Sequence, residues 1–397
     1  MTISEPSIDF PKRKPDEPFP PPEYSEFRER TGLIRSRMPN WSDEEQGSEV
    51  WLVTRHEDVR NVLTNAKISA NPSQPGFPFV ARNIGVPTQD QIPGWFVGMD
   101  PPEHDRFRKA LIPEFSVRRI REWKPKIQET VDRCIDELLA QGNSADLVAD
   151  FALSVPSLVI STMLGVPVVD REVFESRTQT LVSPATTTTE QRDEAAAQLL
   201  RYITRLISIK QKWPGEDLIS RLLATGIIEP TEMTGVVMLL LIAGHETTAN
   251  NIALGIVTLL SNPEWIGDER VVEELLRFHS VADIVALRVA IEDVEIGGQL
   301  IKAGEGIVPL IAGANRDTNN FECPNDFDPS RSAKNHMAFG YGVHQCLGQN
   351  LVRAEMEIAY TTLFERMPTL TLDTTPDSLE FKYDGTLFGL HKLPVHW

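Results

Sequence analysis

Ala338-Phe339-Gly340-Tyr341-Gly342-Val343-His344-Gln345-Cys346-Leu347-Gly348 is the stretch on which the fold turns. It leads into a strongly helix-forming segment at residues 349–364, which places Cys346 at a helix N-terminus. There the helix dipole and free N–H groups stabilise a thiolate, and glycines at 340, 342 and 348 let the backbone approach a flat group closely. A lone cysteine is more often a small buried hydrophobe, but the glycine spacing argues against that here.

The other two cysteines, Cys134 and Cys323, are too scattered to build a disulfide framework or a four-cysteine metal site with Cys346. Such usage fits a reducing cytoplasm. At 397 residues, 41% apolar and 24% charged, the chain is long enough for a sizeable core and has the composition of a folded globular protein. A net charge of −18 works against binding nucleic acid or an anionic membrane through bulk electrostatics. One basic stretch runs against that balance, comprising Arg106, Arg108, Lys109, Arg118, Arg119, Arg121, Lys124 and Lys126, with only Glu114 and Glu122 opposing. The N-terminus has no apolar segment of signal-peptide or anchor length, and the longest apolar run, residues 236–243, lies in mid-chain. A soluble, cytoplasmic, monomeric protein is expected.

Residues 1–22, rich in proline and charge, read as an extended arm, with a single ordered domain over 23–397. Residues 49–53 read as a strand, and Thr54 with Glu57 as a capping box opening a helix through Leu63. Prolines at 72, 75, 78, 87 and 93 exclude a continuous helix from 70 to 98, a long loop that carries Phe77, Phe79, Trp95 and Phe96. Helical periodicity marks residues 120–139, 155–164 and 195–209. Val294-Glu-Ile, Gly297-Gly298 and Gln-Leu-Ile predict a β-hairpin, and a further short β region falls at 381–393. The class is mainly α with small sheets.

Residues 231–261 predict one helix on the order of 45 Å long. It is apolar almost all round at both ends, hence buried, yet its middle reads Ala243-Gly244-His245-Glu246-Thr247-Thr248-Ala249-Asn250-Asn251. Buried polar groups need partners or a purpose. Threonine hydroxyls bonding back to the preceding turn would satisfy them structurally. The same bond can open the ladder beside Gly244, making room for a small ligand and water, with a carboxylate alongside to supply protons.

The pattern Phe339-x-x-Gly342-x-x-x-Cys346-x-Gly348 resembles the haem-binding loop of the cytochrome P-450 superfamily, and the resemblance covers nearly the whole chain from about residue 20. It implies a triangular, mainly helical single domain holding haem b, with Cys346 as axial thiolate and Phe339, Gly340 and Gly348 shaping the loop. Thiolate ligation pushes electron density onto iron and favours O–O cleavage. No Cys-x-x-Cys-His occurs, which excludes covalent c-type attachment. Residues 243–248 are similar to the oxygen-activation motif, which makes Glu246 and Thr247 the catalytic pair. Adjacent helix positions do not face each other, so the pair implies a distorted turn and a water relay. Glu274-Leu-Leu-Arg277 is similar to the family's Glu-x-x-Arg motif, with Arg331 as third member of a structural ion-pair cluster. His104, Arg108, Arg288 and His344 stand at the family's propionate-binding positions. The basic stretch corresponds to a face where an acidic ferredoxin docks, with Arg106, Lys109 and Arg119 as candidate contacts.

The implied reaction is insertion of one oxygen atom from O2 into a moderately hydrophobic small molecule, such as a natural-product intermediate, with electrons from NAD(P)H through ferredoxin reductase and ferredoxin. By family position the pocket walls are the 70–98 loop, residues 183–192, Ile242, Ala243, Val285, Leu387 and Phe388. The chain departs from typical bacterial relatives between Asn262 and Glu274, where it is shorter. Trp51-Leu52-Val53-Thr54 and residues 156–167 also resemble soluble fungal nitric oxide reductases, which use NAD(P)H directly and lack the acid of the activation motif. Glu246 favours the monooxygenase over that alternative. A peroxygenase and a non-catalytic haem sensor are further alternatives, the latter needing no acid–alcohol pair.

Overall fold

The computed structural model describes residues 8–14, 17, 19–30, 32–38, 47–78, 91–182, 187–383 and 386–397. Residues 79–90 of the long loop and 183–186 of the 183–192 region lie outside the described residues. The chain divides into two compact units, neither of them continuous in sequence: one comprises 1–86, 257–346 and 375–391, the other 87–256, 347–374 and 392–397.

The first unit is built on a six-stranded mixed sheet in the spatial order Ile8–Asp9, Leu33–Arg37, Glu49–Val53, Gly306–Pro309, Arg288–Ala290, Ile68–Ser69. Alternation puts Ile34, Val50, Leu52 and Val308 in one buried cluster, and Leu33, Val53, Ile307 and Ala290 in another. Both faces are therefore covered, as period-two patterning in a central strand requires. The strand expected at Glu49–Val53 is present. The capping box after it is not: the helix is His56–Thr64 with Arg55 at its N-cap, and the Thr54 hydroxyl donates instead to the Gly32 carbonyl at 3.1 Å. Buried Thr54 faces a neighbouring strand end, and that tertiary bond displaces the local one.

The expected hairpin forms from Val294–Ile296 and Gln299–Ile301, with Gly297 and Gly298 at φ of 54° and 79°. Two successive positive φ values are what a two-residue turn matched to strand twist demands. Phe381–Lys382 and Gly389–Leu390 form the second small β region. The short segment after Asn262 holds a 3-10 turn at Pro263–Trp265 before the helix Val271–His279 begins.

The second unit is helical apart from a three-stranded sheet of Thr371–Leu372, Pro394–His396 and Ser144–Asp146. Helix Val117–Gln141 packs against Gln349–Arg366, its apolar stripe of Ile120, Ile127, Val131, Cys134 and Leu138 fully inward. Lys124–Glu357 and Arg366–Asp136 pair at the exposed margins, at 2.7 and 2.6 Å. Thr189–Lys212 starts at a true capping box, Thr188 with Gln191. The long central helix runs Pro230–Ser261, one residue longer than its periodicity predicts.

Candidate active site

In the first unit Phe339, Gly340, His344 and Cys346 lie on one loop. Met337 N–H donates to Asn315 Oδ1 at 2.6 Å and Cys346 N–H to the Phe339 carbonyl at 2.8 Å, so the loop is pinned at entry and closed on itself at the cysteine. Gly340 and Gly342 have φ of 65° and 75°, and a Cβ on Gly342 would meet the Leu63 carbonyl at 2.6 Å. Glycine is required at both. Arg60 holds the loop from outside, donating to the Tyr341 hydroxyl at 2.6 Å and lying 4.4 Å over its ring. Cys346 is half-buried, whereas Cys134 sits in a helix core and Cys323 is exposed. Helix Gln349–Arg366 follows with Gly348 at its N-cap, so Cys346 stands just ahead of the free N–H groups.

The ion-pair cluster forms as expected. Glu274 and Arg277 are both fully buried, joined at 2.7 and 2.8 Å, and Arg331 Nε reaches Glu274 at 3.0 Å. Arg277 also donates to the carbonyls of Asn315, Pro324 and Asp326, so three of its five N–H groups tie the chain ahead of the cysteine loop to the helix, while the other two hold Glu274. Arg288 lies on the buried strand Arg288–Ala290.

In the second unit the central helix is unbroken through residues 243–251, so the distorted turn expected there is not seen. Two side-chain bonds act on its carbonyls instead. Thr247 Oγ1 donates to the Ala243 carbonyl at 2.8 Å, and Asn251 Nδ2 to the Thr247 carbonyl at 2.8 Å. One turn on, the buried Tyr360 hydroxyl donates to the Asn251 carbonyl at 2.8 Å, and Gly255 admits it, because a Cβ there would lie 2.0 Å from that oxygen. Glu246 and Thr247 are half-buried. Asn251 and Tyr360 escaped the sequence reading. Asn251 left a trace, as a polar residue four positions beyond Thr247 on a buried helix; Tyr360 left none.

His104 and Arg108 lie one turn apart on the helix Glu103–Leu111. His104 is buried, which lowers its pKa, opposed by contact with the Asp105 carboxylate 3.4 Å away. Two of the candidate docking cations are engaged within the unit. Arg106 makes a bidentate pair with Glu232 at 2.8 and 2.5 Å, and Arg119 pairs with Glu122 at 2.7 Å. Lys109, Arg121 and Lys126 are exposed.

Of the expected pocket residues, Ile242 and Leu387 are half-buried, and Ala243 and Val285 are exposed. Phe388 is 2% exposed, stacked on Phe381 at 5.5 Å, with the Arg13 guanidinium 4.1 Å over its ring.

A half-buried cysteine on a glycine loop ahead of a helix, beside a mainly helical fold with small sheets, defines the haem-thiolate class. The chain belongs to the cytochrome P450 family, whose family model matches residues 269–396. It is 42% identical to pentalenic acid synthase of Streptomyces avermitilis, over 98% of this chain and 97% of that protein. It is 40% identical to vitamin D3 dihydroxylase of Streptomyces griseolus, over 95% and 94%. The crystal structure of cytochrome P450 MoxA from Nonomuraea recticatena has the same fold, with a TM-score of 0.90 at 41% identity over 99% and 98% of the two chains.

The protein is thus a bacterial-type haem-thiolate monooxygenase whose cofactor is haem b. Bacterial enzymes of this type typically draw electrons from a ferredoxin and its reductase. The loop fits a flat iron porphyrin. Gly348 has an ordinary φ of −79° and a Cβ on it would meet nothing within 4 Å, as at Gly340. The protein's own packing gives no reason for glycine at 348, whereas a planar group lying against the backbone does. Among the described residues no helix is long and apolar enough to cross a membrane.

Proposed function

We propose that this enzyme hydroxylates a mainly apolar, polycyclic natural product of terpenoid or steroid-like size. The similarity to pentalenic acid synthase and vitamin D3 dihydroxylase supports that class. Ile242, Ala243, Val285 and Leu387 supply apolar contacts to it. Residues 23–397 make up the haem domain and the enzyme works in the cytoplasm.

Cys346 ligates the iron, and His104, Arg108, Arg288 and His344 hold the two propionates. When bound, the thiolate-ligated haem supplies dioxygen activation. The observation that carries the proton-transfer role is the Thr247 hydroxyl, whose own proton is committed to the Ala243 carbonyl at 2.8 Å. Its oxygen is left as an acceptor, able to hold a water or a protonated oxygen atom at that point. Asn251 fixes the turn by occupying the Thr247 carbonyl. Glu246, half-buried on the adjacent position, takes a proton from solvent and passes it on through water, since neighbouring helix residues diverge by about 100°. Glu274, Arg277 and Arg331 maintain the fold and take no part in chemistry.

Of the exposed cations in this stretch, Lys109, Arg121 and Lys126 steer a ferredoxin, with Arg106, Arg118 and Arg119 paired to carboxylates. Titration of the purified holoenzyme with apolar carbocyclic acids, steroids and simple amino acids, followed by haem absorbance, tests the substrate class. The carbocycles and steroids should bind and the amino acids should not; tight binding of the amino acids alone would refute the assignment. Cys346→Ser should abolish the thiolate signature of the carbon monoxide complex.

A further inference from the structure

The N-terminal arm does more than extend the sheet. Ile8–Asp9 pairs in parallel with Ser36–Arg37, and Phe10 is buried beyond it. This anchorage delivers Arg13 inward, its side chain 9% exposed. The guanidinium lies 4.1 Å over the Phe388 ring and 3.8 Å from Asp283 Oδ2. Asp283 is held in turn by the Tyr24 hydroxyl at 3.2 Å and the Ala312 N–H at 2.7 Å. Arg13, Tyr24, Asp283, Leu387 and Phe388 surround a cavity of about 30 Å³, room for one water.

Both ends of this clamp lead to residues assigned to substrate contact. Asp283 belongs to the segment that continues to Val285, and Phe388 adjoins Leu387. The two segments are themselves joined, by the Ala282–Leu387 bridge and the bond from Phe388 N–H to the Val281 carbonyl at 2.9 Å. A buried arginine stacked on one segment and paired with the other fixes their separation, and hence the width between Val285 and Leu387. We propose that Arg13 is a specificity-determining positioning residue, by which the N-terminal arm sets the shape of the pocket wall formed by Val285 and Leu387. This rests on the assignment of those two residues to the substrate pocket.

The test uses holoenzyme and two apolar probes of different size, a bicyclic terpenoid and a steroid, whose dissociation constants are read from haem absorbance. Hydrogen exchange of the peptide covering 381–391 is the second readout. Arg13→Met should change the ratio of the two constants about tenfold and raise exchange in that peptide, with Arg13→Lys restoring part of the ratio by keeping the charge. If Arg13→Met fails to fold, Phe388→Leu, which removes the ring under the guanidinium, should shift the ratio in the same way. Leu387→Trp separates the two levels of the argument. A ratio moved by Leu387→Trp but by neither Arg13→Met nor Phe388→Leu overturns the role of Arg13 and leaves the pocket intact. A ratio unmoved by Leu387→Trp overturns the pocket assignment and the inference with it.

Discussion

Glu355 offers a prediction that separates burial from chemistry. It lies on helix Gln349–Arg366 with 2% of its surface exposed, and burial alone pushes its carboxyl from 4.5 up to about 8. The folded protein therefore keeps a proton that the unfolded chain releases between those values. Stability attributable to this proton is present in full below pH 4.5 and is lost as pH rises, the loss ending near pH 8. At about 1.36 kcal/mol per pKa unit, the limit is about 5 kcal/mol above pH 8 and about 3 kcal/mol at pH 7. Glu355→Gln keeps the shape and removes the titration. Urea unfolding of the holoenzyme, followed by tryptophan fluorescence from about pH 5 to pH 8, should give curves that nearly coincide at the acid end. The variant should be more resistant by roughly 1 M urea or less at the alkaline end. Parallel pH profiles for the two proteins would refute the reasoning and mean that Glu355 is already ionised in the native state.

Glu274→Ala leaves Arg277 buried without its carboxylate and should cost about 3–5 kcal/mol, seen as loss of folded holoenzyme on thermal denaturation. Gly255→Ala should destabilise by about 1–3 kcal/mol through its clash with Tyr360, and Tyr360→Leu in the same chain should recover much of it; strictly additive losses would contradict the contact. Gly348→Ala should leave the apoprotein's unfolding midpoint unchanged or slightly raised, yet speed haem loss to a haem-scavenging globin.

Legibility in the sequence followed the range of the interactions. The hairpin at Gly297-Gly298 was readable because a turn's backbone needs are met by its own residues. The cysteine loop and the Glu274–Arg277 pair were readable because short spacings constrain them. Thr54 misled because its local capping partner lost to a carbonyl 22 residues away. Arg106 looked like a docking residue because its acid, Glu232, lies on another helix 126 positions away, whereas the acids beside Arg119, Glu114 and Glu122, stood in the stretch itself. Nothing in the neighbourhood of Phe388 announces Arg13, 375 positions earlier, lying against its ring. Contacts of that separation leave no periodicity to find.

The most direct test of the oxygen-dependent account is the fate of electrons in the wild type and in Thr247→Ala. With NADH, ferredoxin reductase, ferredoxin and a bound apolar substrate, the wild type should consume oxygen only when ferredoxin is present and release little peroxide. Thr247→Ala should consume NADH at a similar rate and pass most of its electrons to oxygen as peroxide or water, with little product. Rapid NADH oxidation with nitric oxide and no protein partner, unaffected by Thr247→Ala, would contradict the account.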